Sequence, residues 1–214
     1  MRKAYLTLAL AALLGTGTQA AVIQIVCDND FAVFTGTASS VDRLVYQNNV
    51  AWMDQIANAA SFSLSLQGSE NTIYLLAMGG TYQENISGKI NGVNLTSLSS
   101  IRQSTPIQSF LSGYDPNAVA ARTYNATLLG VQSALASPSL SWFIPTPLFN
   151  PDNSVAAVIN FGGIGSGYAF ADSTAVLYRF ESSEVGVTGV PEPSSLSLMG
   201  VGAAVLALAR RRRS

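Results

Sequence analysis

The sequence contains no histidine. This absence removes the most common general base, the Ser–His and Cys–His nucleophile pairs and the most common zinc ligand. A Ser–Lys dyad would have to use Lys89, because the other lysine lies at position 3 in the N-terminal segment. Asp28 and Asp30 are a candidate pair of catalytic acids for glycoside hydrolysis, but the intervening Asn29 favours a turn. The sequence therefore predicts a non-catalytic protein.

Cysteine is almost as scarce. Cys27 is the only one in the chain, so an internal disulfide is excluded. It follows the alternating run at residues 22–26, which is typical of a strand with one buried face. We therefore expect a buried structural thiol, with an intermolecular bridge or a reactive thiol as the alternative.

Basic residues are few once the two ends of the chain are set apart. Six of the eleven basic side chains lie at positions 2, 3 and 210–213, so residues 21–188 hold five basic and eleven acidic side chains. The net charge of this body is therefore −6. Nucleic acid and anionic lipid surfaces repel such a body, and we expect it to bind neither.

The N-terminal segment, residues 1–20, has the pattern of a signal peptide. Arg2 and Lys3 precede an apolar run at residues 4–14, and small residues follow up to Ala20. The small-x-small pattern predicts that signal peptidase cleaves between Ala20 and Ala21. An apolar run of 11 residues is too short for a transmembrane helix, so the sequence predicts an exported protein.

The C-terminal segment, residues 190–214, combines a helix breaker, an apolar run and a positive end. Pro191, Glu192 and Pro193 come first, and the uncharged run at residues 194–209 follows. As a helix these 16 residues span about 24 Å, less than the ~30 Å of a bilayer core, which predicts a weak transmembrane anchor. By the positive-inside rule the cytoplasmic end is the cluster Arg210, Arg211, Arg212 and Arg213.

This arrangement resembles the PEP-CTERM sorting signal of Gram-negative bacteria. The resemblance rests on the sequence Val-Pro-Glu-Pro at 190–193, on the Gly-, Ala- and Leu-rich run after it and on the terminal arginines. It implies that an exosortase, a membrane-embedded cysteine transpeptidase, recognises Pro191-Glu192-Pro193 and removes the apolar tail. It also implies a transient anchor in the inner membrane, followed by placement in the cell envelope or outside the cell.

Residues 21–181 have the pattern of a mainly β domain, a β-sandwich with one or two covering helices. Apolar or alternating runs between Asn, Asp, Gly and Ser clusters predict strands at residues 22–27, 31–34, 41–46, 61–66, 72–78, 86–90, 155–161 and 173–180. Helical spacing begins at Asp115-Pro116 and continues to residue 137, and a second helical segment is expected at 106–111. Residues 182–189 are expected to form a linker to the sorting signal.

Part of this body resembles the galactose-binding-like jelly roll. The resemblance rests on the acidic pair Asp28 and Asp30 before a strand, on Trp52, and on the turn at residues 68–71 before a long strand. It implies a jelly-roll-like sandwich.

Candidate binding residues follow from side-chain chemistry. Trp52, Tyr82 and Trp142 are candidates for stacking on sugar rings, with core packing as the alternative. Asp28 and Asp30 are candidates for a structural calcium site, with turn capping as the alternative, and no other cofactor is expected. We therefore expect a non-catalytic envelope or extracellular-matrix protein that binds exopolysaccharide. The alternative is a secreted hydrolase that acts on polysaccharide.

Overall fold

The structure is a computed structural model, and it describes residues 21–48, 50–55, 62, 64–80, 84–149 and 166–187. The strands are β1 Ile23–Asp28, β2 Asp30–Thr37, β3 Ser40–Gln47, β4 Thr72–Met78, β5 Glu84–Ile90, β6 Val93–Asn94, β7 Arg102–Ser104, β8 Trp142–Phe143, β9 Pro147–Phe149, β10 Ser166–Phe170 and β11 Ala175–Glu181. The helices are α1 Trp52–Gln55, α2 Pro116–Ala120 and α3 Leu128–Leu135, and 3₁₀ turns occupy Leu95–Ser97, Gln108–Phe110 and Ser182–Val185. The predicted signal peptide, the strand predicted at 155–161 and the segment 190–214 lie outside the described residues.

Two antiparallel sheets account for these strands. One has the order β1-β5-β10-β9, with β6 paired to β5, and the other has the order β3-β2-β4-β11-β7-β8. The prediction of a mainly β fold is confirmed, and the two sheets with few helices are consistent with a β-sandwich. Asn91-Gly92, which favours a tight hairpin, joins β5 to β6, and both residues have positive φ angles.

The core between the sheets receives side chains from both of them. Because side chains alternate along a strand, each strand contributes every second residue to this core. Its buried members include Ile23, Ile25, Ile86 and Tyr168 from the first sheet and Phe31, Val33, Val176 and Tyr178 from the second.

Phe62, Leu64 and Leu66 contribute to the same core. Leu64 and Leu66 are buried, and Phe62 packs against the cluster. Leu64 forms one isolated antiparallel bridge, to Ala21, and residues 62, 65 and 66 belong to no strand, so the strand predicted at 61–66 is wrong at these positions. Ile73 and Leu75 of β4 belong to the same cluster, so Leu64, Leu66 and β4 share one core.

Leu64→Ala is expected to lower the free energy of unfolding by about 2 to 5 kcal/mol, because a cavity replaces a fully buried side chain. Leu129→Ala is the matched control, since it removes the same atoms from a side chain that is 72% exposed, and we expect a change within about 0.5 kcal/mol. Urea unfolding measures both. An equal loss in the two variants would contradict the buried face assigned to residues 62–66.

A second core lies on the other face of the six-stranded sheet, under the helices. It joins buried side chains of β2, β4 and β11 to those of α2 and α3, among them Phe34, Leu76, Leu177, Val119 and Val131. The Gln132 side chain of α3 also donates to the Val41 carbonyl at 2.9 Å. The covering helices that the sequence predicts therefore pack on the outer face of the six-stranded sheet.

The helical pattern from Asp115 to residue 137 forms two helices instead of one. Asp115 caps α2 as expected, because its carboxylate accepts from the Asn117 amide at 3.0 Å. The chain then leaves the helix at Arg122, which has a positive φ of 58°. Gln47 holds the extended stretch that follows, since its side chain bonds the Tyr124 carbonyl and the Ala126 amide at 2.8 Å each. These tertiary bonds override the helical spacing.

The prediction that a linker begins at residue 182 is wrong for residues 182–187. Val185 and Val187 are buried in the core between the sheets, so this segment is folded. Glu184 fixes the turn, because its carboxylate accepts from the amides of Ser99 and Ser100 at 2.8 and 2.9 Å. Because these valines are small and have polar neighbours, the sequence pattern does not indicate that they are buried.

Candidate functional site

Two arginines lie side by side near the edge of the six-stranded sheet. The register of β11 and β7 sets Arg179 directly opposite Arg102. On its other side Arg179 faces Tyr74 of β4. Directly opposed residues of antiparallel strands share a face, so these three side chains form one row across three strands. We call Tyr74, Arg179 and Arg102 the arginine row.

Trp142 of β8 lies beside the arginine row. The Arg179 guanidinium carbon is 4.1 Å from the centre of the Trp142 ring, well within the range of a cation–π contact. The Tyr74 ring is tilted against Trp142 with a centroid distance of 6.5 Å. Because Arg179 covers one face of the half-buried ring, Trp142 serves at least to position the guanidinium. Its predicted contact with a sugar stays a prediction.

An open pocket of about 230 Å³ adjoins the arginine row. It is lined by Ala38, Thr72, Ser100, Arg102, Arg179, Phe180 and Glu181. Glu181 lies two positions after Arg179 and opposite Thr72, so it shares their face of the sheet. The pocket therefore combines two guanidinium groups, one carboxylate and two hydroxyl groups.

The other predicted ligand-binding residues, Trp52 and Tyr82, stay predictions. Trp52 is the first residue of α1, and Tyr82 lies outside the described residues. Gln55, also on α1, accepts from the Cys27 amide at 2.8 Å and donates to the Cys27 carbonyl at 3.1 Å. The described contacts of α1 thus join it to β1.

Cys27 is a buried free thiol, as the alternating pattern predicts. Burial raises the pKa of the thiol well above its ordinary value, and the nearby Glu84 carboxylate adds to the shift. A thiol with a raised pKa is a poor nucleophile, because the thiolate is the reactive form.

Asp28 and Asp30 have different surroundings. Asp30 is buried, and both of its carboxylate oxygens accept hydrogen bonds. The donors are the Phe31 amide at 2.9 Å, Asn48 at 2.8 Å and Gln47 at 3.4 Å. Asp28 is half-buried at the end of β1. Burial raises the pKa of each carboxyl to about 6, although the hydrogen bonds to Asp30 act in the opposite direction.

The raised pKa of Asp28 predicts a pH-dependent stability difference. A carboxyl whose folded pKa exceeds its ordinary value of about 3.9 stabilises the fold below that value and loses this contribution as the pH rises through 6. Asp28→Asn should therefore raise the melting temperature at pH 7.5 by about 2 to 4 °C. This corresponds to about 1 kcal/mol after discounting for the solvent-exposed half of the side chain. The difference should vanish near pH 4, and differential scanning calorimetry at both pH values measures it. An equal shift at both would contradict the ionisation as its cause.

Neither a metal centre nor a membrane span emerges from the described ranges. They contain no group of three or more Cys, Asp or Glu side chains that could hold a metal ion. The candidate calcium site at Asp28 and Asp30 therefore stays a prediction, with Asp30 already bonded through both oxygens. Among the same residues, no helix is long and apolar enough to cross a bilayer.

Comparison with known protein families identifies the C-terminal segment. Residues 189–213 match the family model of the PEP-CTERM protein-sorting motif. The chain carries a PEP-CTERM sorting signal. This signal indicates an exported protein that an exosortase sorts and that is transiently anchored in a membrane before it reaches the envelope or the exterior. No curated protein and no solved structure matches the chain, so the jelly-roll resemblance stays a prediction.

The sequence points to the PEP-CTERM signal but not to the arginine row. Arg102 and Arg179 are 77 positions apart, and neither belongs to a motif. Only the register between β7 and β11 brings them together. The one available signal is scarcity: a body with five basic side chains leaves few candidates for an anion-binding site.

Proposed function

We propose that the exported body is a non-catalytic envelope or matrix protein of a Gram-negative bacterium that binds exopolysaccharide after sorting. The observation that carries the proposal is the PEP-CTERM motif at residues 189–213, which directs the chain to an exosortase. A protein sorted in this way works where the cell's own extracellular polymers are present. The open pocket beside the arginine row offers polar and charged groups to such a polymer.

The surroundings of the acids support a non-catalytic role. Retaining and inverting glycosidases need two carboxyl groups on either side of the scissile bond. Asp30 is buried, and its oxygens are bonded to Asn48, Gln47 and its neighbour's amide. A substrate would have to displace these donors to reach it. Asp28 alone cannot supply both an acid and a base.

The net charge of residues 21–188 supports a partner other than nucleic acid. Five basic and eleven acidic side chains give −6, and a phosphate backbone requires the opposite balance. The proposal involves signal peptidase, an exosortase and the inner membrane as transient partners and polysaccharide as the lasting one. It requires no cofactor.

A pull-down combined with a reducing-sugar assay tests this function. The full chain, purified in neutral detergent, is mixed with the exopolysaccharide of the producing cells, and the polymer is sedimented. We expect the protein to sediment with the polymer and the number of reducing ends to stay constant. New reducing ends would support the alternative of a polysaccharide hydrolase, and protein that stays in the supernatant would contradict binding.

A further inference from the structure

The arginine row carries an electrostatic cost. Like charges placed directly opposite each other on neighbouring strands are destabilising. Arg102 and Arg179 are such a pair. Among the described residues the one ion pair is Arg43 with Glu70 at 3.0 Å, so neither arginine of the row has an acidic partner there. A like-charge pair that no described carboxylate neutralises breaks a local rule, which points to a functional reason.

Backbone carbonyl groups just before β7 hold the Arg102 side chain in place. One terminal nitrogen of its guanidinium donates to the Ile101 carbonyl at 2.7 Å and to the Ser99 carbonyl at 3.2 Å. The other terminal nitrogen makes no hydrogen bond to the described residues. A guanidinium has five N–H donors in a rigid fork, so donors remain for a ligand.

Arg179 is positioned in a similar way by other elements. One terminal nitrogen donates to the Ala38 carbonyl at 2.6 Å, and the Trp142 ring lies against the guanidinium. Both contacts fix the group before any ligand arrives. A charged group that is already fixed loses less conformational entropy on binding, which lowers the free-energy cost of binding.

The remaining pocket groups favour a sugar over a bare inorganic anion. The Ser100 hydroxyl accepts from the Glu181 amide at 2.9 Å. The Glu181 carboxylate repels an anion but accepts hydrogen bonds from hydroxyl groups. A ligand that matches all of these groups carries an oxyanion and hydroxyls on one ring. The volume of about 230 Å³ lies below the ~300–1,000 Å³ of typical small-molecule pockets, which suits one unit of a longer chain.

We infer that this pocket binds an acidic sugar unit of a polysaccharide, with the arginine pair on its carboxylate or sulfate group. The inference rests on the proposed function and deepens it by naming the ligand class. Arginine forks match the two oxygens of a carboxylate or sulfate in bidentate geometry. Because the body as a whole is negative, the attraction is local, and binding weakens as salt rises.

The test compares three probes on the full chain in neutral detergent: oligogalacturonate, sulfated maltooligosaccharide and neutral maltooligosaccharide of equal length. Affinity is measured by isothermal titration calorimetry. We expect at least one acidic probe to bind at least tenfold more tightly than the neutral one, and the preferred acidic probe identifies the oxyanion. Arg102→Gln should weaken acidic binding by about tenfold, the effect of losing one hydrogen bond to a charged group.

Two further variants make the test specific. Arg122→Gln removes an equal charge from the exposed turn after α2 and should leave affinity unchanged. Glu181→Gln removes a repelling carboxylate and should raise the affinity for acidic probes. Thermal melts verify that each variant is folded. Equal binding of acidic and neutral probes, or an equal loss in Arg102→Gln and Arg122→Gln, would overturn the inference and leave polysaccharide binding standing. No binding of any probe, together with no retention on the native polymer, would overturn both proposals.

Discussion

Replacing Pro191, Glu192 and Pro193 with alanine is expected to leave the protein uncut at its C terminus and attached to the membrane. Each proline fixes φ and disfavours helix around itself, so we expect the native tripeptide to be extended, the form in which a transpeptidase can bind it. Three alanines favour helix and remove the prolines and the glutamate of the recognised tripeptide. Immunoblots of membrane and culture-medium fractions should show release reduced at least tenfold, with the signal peptide still removed.

The control changes residues next to the tripeptide. Ser194→Ala and Ser195→Ala alter the same segment without touching the prolines or the glutamate, and normal release is expected. Deletion of residues 210–213 should act differently, because it removes the charges that fix orientation and lets uncut protein pass through the membrane. Trimming and release of the triple-alanine protein at the normal rate would contradict the sorting assignment.

Local patterns in the sequence predict much of the first half of the body. The alternation that includes Phe62, Leu64 and Leu66 and the continuous apolar run of β4 predict which side chains are buried, because alternate side chains of an extended chain point to opposite sides. Asn91-Gly92 predicts its hairpin for a similar reason, since few residues accept positive φ angles. These features depend on neighbours in sequence.

The second half is decided by contacts between distant residues. Gln47 holds the chain at Tyr124 and Ala126 in an extended form where the spacing of apolar residues predicts helix. Strands β7 and β8 have two or three residues each, too few for a periodic signal. The arginine row depends on the pairing of one of them, so neither its residues nor its pocket could be predicted from local patterns.

The structure of the C-terminal end of the body could not be predicted from local patterns either. Residues 182–187 are small and polar in composition, yet they form a 3₁₀ turn that closes the core between the sheets. The Ser182 amide donates to the Asn71 carbonyl at 3.0 Å, and Asn91 donates to the Val185 carbonyl at 2.8 Å. These bonds join the segment to the turns before β4 and after β5. The folded body therefore extends at least to Val187.

A chain of residues 21–181 is expected to lose cooperative folding, whereas a chain of residues 21–188 is expected to melt in one transition. Burying a valine side chain contributes about 1.5 to 3 kcal/mol, so removal of Val185 and Val187 costs about 3 to 6 kcal/mol. This is a large part of the ~5 to 15 kcal/mol that stabilises a typical domain. Circular dichroism melts of both chains measure the difference.

A third variant serves as the control for the difference in chain length. It consists of residues 21–188 with Val185→Ser and Val187→Ser. It keeps the backbone bonds of the turn but places two hydroxyl groups in the apolar core, where an unpaired hydroxyl costs about 1 to 3 kcal/mol in addition to the lost apolar contact. It should therefore behave like the short chain. If the free energy of unfolding of the chain of residues 21–181 instead lies within about 0.5 kcal/mol of that of the longer chain, the two valines do not close the core. The boundary predicted from composition at residue 181 would then be correct.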